Sequence, residues 1–167
     1  MDAWSVLAVI AGVAATFIGF TGVIFAVGRS SRDGWNPSER TALLNLLMPS
    51  VVVLFLAFIP IIASTGIQSL PLIWRGANGL LAVIHLALVT SALRAALKAT
   101  LLEPVPLRFL LIPGGYASGI ISAFAAFGYF PRFAVTAFVA GLVWSLLVAA
   151  VQFVMLIVPR SVAASGT

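Results

Sequence analysis

The sequence predicts an all-α membrane protein: a bundle of five transmembrane helices with the N-terminus outside and the C-terminus in the cytoplasm. Three observations carry that expectation. Of 167 residues, 62% are hydrophobic and only 8% charged; the charges leave five long apolar intervals between them; and the basic residues divide unequally between the two sides that those intervals define. An average soluble domain carries roughly 25% charged residues. Nine basic and four acidic side chains cannot solvate a soluble fold of this length, because one core hides only part of so much apolar surface.

A charged side chain is costly at the bilayer centre, and about 20 apolar residues cross the hydrocarbon as a helix. The charge-free intervals 3–28, 41–74, 76–93, 109–131 and 133–159 each accommodate one span. They place the spans near 3–27, 41–63, 72–97, 109–129 and 133–158 of a single membrane domain, with 28–40 as a cytoplasmic loop. The first run follows Met1 and Asp2 with no basic n-region and is too long for a cleaved signal, so it reads as a retained helix. The long second interval contains Ser64-Thr65-Gly66-Ile67-Gln68-Ser69-Leu70-Pro71, a polar, turn-rich stretch that ends the second span near Ala63 and lets the third begin near Leu72. Arg75 then falls in the first turn of the third span, where its stem snorkels toward head groups beside Trp74. Gly128-Tyr129-Phe130-Pro131-Arg132-Phe133 separates the last two spans, since proline biases its predecessor away from helix and aromatics with arginine suit an interface. Four spans would require one helix of about 50 residues, longer than an ordinary bilayer accommodates.

With five spans, Arg29, Arg32, Arg40, Arg94, Lys98, Arg108 and Arg160 share one side and only Arg75 and Arg132 the other. The positive-inside rule puts the seven in the cytoplasm. The formal charge of +5 is thereby explained by membrane orientation; no basic patch marks a nucleic-acid partner. In the first loop, Asn36 suits an N-cap, Pro37 the first helical position and Glu39 the third, a capping-box variant with Trp35 as interfacial anchor. In the third loop, Arg94 and Lys98 lie four apart on one helical face that fits anionic lipid head groups, before Pro104 and Pro106 break the helix near Glu103 and Arg108.

Span one carries small residues at Ala8, Gly12, Ala15, Gly19, Gly22 and Ala26, and span four at Gly115, Gly119, Ser122 and Ala126. Spacings of three and four keep each set on one face, and in lipid such faces signal close helix packing within the chain or with another copy. The polar residues inside the spans are Asn45, Asn78, His85 and Gln152, with hydroxyls at Thr16, Thr21, Thr90, Ser91, Ser118 and Ser122. Such groups face bundle interiors. Arg75, Asn78 and His85 share one sector of span three, and Thr21, Asn45, Thr90 and Gln152 are expected at similar depth in the inner leaflet, which makes His85, Asn78, Asn45, Gln152, Thr21 and Thr90 a candidate intramembrane polar cluster. His85, the single histidine, is the natural proton-linked or ligand-binding group. It has no evident carboxylate partner, which favours a histidine hydrogen-bonded to a neighbouring helix. Pro49 and Pro113 interrupt spans two and four; paired broken helices point to a transport site when they line a cavity, but prolines are also common in ordinary membrane helices, where neighbours re-satisfy the freed carbonyl, and kinks without function are the favoured reading.

The segment Gly19-Phe20-Thr21-Gly22-Val23, with Gly28-Arg29 and then Gly34-Trp35-Asn36-Pro37-Ser38-Glu39-Arg40, resembles a group of short, uncharacterised bacterial multi-pass membrane proteins. The likeness covers about the first 45 residues and implies a bacterial inner-membrane setting, with no activity, cofactor or partner attached. No cysteine is present, and no carboxylate pair, metal-ligand cluster, nucleophile with its base, or glycine-rich phosphate loop is legible. The expected role is non-enzymatic and without cofactor or metal: an accessory or assembly part of a membrane complex, partnered by the lipid bilayer and by its own copies or another membrane protein. The competing role is passage of a small solute, ion or proton through a polar cavity.

Overall fold

The computed structural model of the protein describes residues 2–29, 37–98 and 106–157, and all regular structure within them is helical. The elements are α1 (Ala3–Arg29), α2 (Pro37–Ala63), α3 (Leu70–Lys98), α4 (Pro106–Phe127) and α5 (Ala134–Ile157), with one turn of 3-10 helix at Pro131–Phe133 leading into α5. Four stretches are long and apolar enough to cross a membrane: Ala3–Ala26, Leu46–Ala63, Leu70–Arg94 and Pro131–Val154. A shorter apolar helix covers Leu111–Phe127. The protein is a multi-span helical membrane bundle. Trp35 and Asn36 of the first loop, Glu103 and Pro104 of the third, and Arg160 lie outside the described residues, as do the side chains of Glu39 and Asn45.

The sequence explains where the helices start and stop. Pro37 and Pro106 open α2 and α4 at the position where a missing N–H costs no helical bond. Asp2 caps α1 by accepting the Ser5 amide at 2.7 Å, and its hydrogen bonds from the Ser5 hydroxyl and amide hold its carboxyl below the ordinary 3.8. At the end of α2, the Ser64 and Thr65 hydroxyls donate to the carbonyls of Ile61 and Ile62 at 2.6 and 2.7 Å, satisfying acceptors that the helix leaves over. α4 ends in a Schellman turn: Tyr129 N–H donates to Phe124 O and Gly128 N–H to Ala125 O, both at 3.1 Å, with Gly128 at φ +85°. Only glycine takes that conformation without strain. The Arg75 guanidinium donates to Phe127 O at 3.3 Å and lies where a Cβ on Gly128 would sit.

Pro49 and Pro60 lie inside α2 and Pro113 inside α4, and both helices continue through them. Pro49 and Pro113 thus lie within continuous helix and do not break α2 or α4 into separate halves. One proline removes a single N–H···O bond, a loss that neighbouring helices absorb in membrane bundles.

α1 packs chiefly on α2, α2 also on α5, and α3 on α4, while α5 touches the other four helices. The core runs through Leu7, Ile10, Val53, Leu56, Leu81, Phe138 and Leu142. Trp74 closes one end, stacked on Trp4 at 5.6 Å and edge-on to Phe138 at 6.0 Å. Phe153 joins α5 to α1 near the other end, with Phe17 at 6.0 Å and Phe20 at 6.2 Å.

Candidate functional site

The polar side chains converge in the triangle enclosed by α3, α4 and α5. Glycines let these helices approach closely. A Cβ on Gly115 would collide with Val89, one on Gly119 would lie 3.0 Å from Leu86, and one on Gly141 would lie 2.6 Å from Leu81. Gly114 gives its space to the Trp144 ring. His85 projects from α3 into this region, 5% exposed. Its Nδ1 lies 3.0 Å from the Ser118 hydroxyl of α4 and its Nε2 2.7 Å from the Ser145 hydroxyl of α5, so one imidazole ties three helices. Ser145 Oγ also lies 3.3 Å from Gly141 O. Since a hydroxyl carries one proton, Ser145 either donates to that carbonyl while accepting from Nε2, or donates to Nε2.

Two turns before His85 on α3 is Asn78, fully buried. Its amide donates to Trp74 O and to Ala134 O, each at 2.8 Å, which pins the start of α5 to α3. Among the described residues its Oδ1 has no hydrogen-bond partner, nor has the hydroxyl of Ser122, also fully buried.

The other residues singled out in the sequence are elsewhere. Thr90 meets Tyr116 across the α3/α4 contact at 3.2 Å. Thr21 is buried on α1 with its hydroxyl donated to Phe17 O at 2.7 Å. Gln152 is partly buried on α5, two helical turns past Ser145 on the same side. Gly12, Gly19 and Gly22 stand on an exposed face of α1, and a Cβ added at any of them would meet nothing within 4 Å. Gly115 and Gly119 are buried against α3. Ser145 was missed by sequence reasoning. The signal that would have found it is the small-residue register Gly141, Ser145, Ala149, all buried on α5, the same spacing that marks span four.

Ser145, His85 and Ser118 have the connectivity of a nucleophile, base and orienting group. The first two are buried, 7% and 5% exposed. Both sit mid-helix, where backbone N–H groups are committed to the helix and cannot receive an oxyanion. Among the described residues no group of three or more His, Asp or Glu side chains is placed to hold a metal. The described cavity of about 170 Å³ is apolar and lies on the α1/α5 surface, lined by Val13, Thr16, Phe17, Phe20 and Phe153. Comparison with protein-family models, with curated proteins and with solved structures finds no match to this chain.

Proposed function

We propose that this chain is a non-enzymatic accessory or assembly subunit of a membrane complex, joined to a second copy or to another membrane protein through the face of α1 that carries Gly12, Gly19 and Gly22. The observation that supports this reading is the direction of that face. α1 buries Leu7, Ile10, Ala11 and Ala14 against its own bundle and turns its glycines outward, with open space beyond each. Lipid tails cover any apolar surface equally well, so bulk-free backbone on an outer face gains nothing from lipid; a partner helix gains close van der Waals contact there. The proposed setting is the bacterial inner membrane with five crossings; the N-terminus outside is supported by the division of basic residues between the two sides. The enclosure of Ser145 and His85 speaks against hydrolysis at that pair.

The test is association of labelled copies in liposomes by energy transfer, with extraction of the native complex in its own lipid. Gly12→Leu combined with Gly19→Leu is expected to leave the bundle folded and to abolish association. A wild type that stays monomeric at every protein density, and leaves its native membrane with no other subunit attached, ends the reading.

A second reading, passage of a small solute, ion or proton, is supported by the buried Asn78, Ser122, His85 and Ser145. Flux into liposomes with wild type, His85→Ala and Asn45→Leu separates it from the first; a silent wild type removes it.

A further inference from the structure

The register of α3 against α4 locates Ser122. Ala126, one turn further along α4, is the neighbour that a Cβ on Gly79 would touch at 3.6 Å. Ser118, one turn earlier, bonds His85. Ser122 therefore faces α3 between Asn78 and His85, within about one 5.4 Å turn of the level of each. Its hydroxyl and the Asn78 carbonyl oxygen both lack a hydrogen-bond partner among the described residues, and both residues are fully buried. The inward side chains around them, Leu81, Ala82, Ala125 and Phe138, are buried and apolar and have nothing to offer.

An unsatisfied polar group in a protein interior costs about 1–3 kcal/mol, and hydrocarbon outside the bundle supplies no relief. Two such groups in one three-helix interior call for a ligand that completes them. Asn78 Oδ1 needs a donor, whereas Ser122 carries a donor that needs an acceptor. A metal ion cannot donate, would bring charge into the membrane, and wants about six oxygens where two are free. A neutral molecule that both donates and accepts answers both needs; water is that molecule.

We propose that the α3/α4/α5 interior is a hydration site, with water bound at the Ser122 hydroxyl and at the Asn78 carbonyl oxygen, beside the His85 tie and inside the membrane-spanning part of the bundle. Bound there, water extends the polar contacts of His85 toward the end of α3 that carries Trp74. The inference is independent of what docks on α1.

The experiment is solid-state magnetic resonance on the full chain in liposomes, reading magnetisation transfer from water to the Ser122 and Asn78 side chains, with Val53 and Leu56 as dry core references. Rapid transfer to both polar residues and none to the references is expected. The companion variant, Ser122→Ala, is expected to lower Tm by roughly 2–4 °C and to abolish transfer at position 122. Absence of transfer to both side chains in the wild type overturns the proposal without any variant having to fold. An unchanged or raised Tm in Ser122→Ala also overturns it, since it identifies a hydroxyl turned onto its own helix or one buried dry.

Discussion

α1 and α4 carry the same device, a row of small residues spaced three and four apart, and the bundle uses the two rows in opposite ways. On α4 the row faces inward: Gly115 and Gly119 receive Val89 and Leu86 of α3, and Ser122 is fully buried. On α1 the row faces outward, while Leu7, Ile10, Ala11 and Ala14 turn to the core. A small-residue face therefore specifies that a helix comes close, and leaves open which helix. α4 meets its partner in the chain, whereas α1 presents the same face to the bundle's surroundings.

One substitution made in both rows separates them by sign. Gly115→Ala is expected to destabilise by roughly 1–3 kcal/mol, because the new methyl collides with Val89, a β-branched side chain with little rotamer freedom to yield. Reversible unfolding in mixed detergent micelles measures it, and a neutral result would erase the contrast. Gly19→Ala is expected to stabilise the dilute, unassociated chain by about 0.5–1 kcal/mol, since it improves a helix position with open space around it. A loss of stability there would place a neighbour against α1 even in the isolated bundle.

The smallest effect concerns the start of the outward helix. The Asp2 carboxyl titrates below its ordinary 3.8 because it accepts hydrogen bonds from Ser5. A carboxyl depressed in the folded chain contributes above its unfolded value and loses that contribution as pH falls through its folded one. The Ser5 amide should therefore stay protected from hydrogen exchange at neutral pH and lose protection only below about 3.8. Loss already at pH 5 would show that the cap is not formed.

The helical, multi-span character was legible because ions are excluded from hydrocarbon, so sparse charges mark where the apolar runs end. Arg75 and the polar stretch 64–71 show this locally: the chain turns at Ser64–Gly66 and resumes helix at Leu70. The site was legible only in part. His85 and Asn78 stood out as polar residues in an apolar run, but Ser118 and Ser145 lie 33 and 60 residues from His85. Hydropathy does not encode the rotation of one membrane helix against another when both faces are apolar. The same limit applies to α1, whose small face is plain in the sequence while its direction is set by which of two apolar faces fits α2. At Pro49 and Pro113 the favoured reading of prolines accommodated within ordinary membrane helices agrees with the helices that run through them.

The central place of α5 bears on how the chain assembles during synthesis. Helices emerge in order, yet α2 packs on α5 as well as α1, Asn78 waits for Ala134 O, and the His85 ring waits for Ser118 and then Ser145. Until α5 is in place, α3 holds an imidazole and a carboxamide with incomplete partners. The final segment thus acts as a keystone, and a chain halted before it would expose its most polar membrane surfaces to whatever quality-control factors patrol the bilayer.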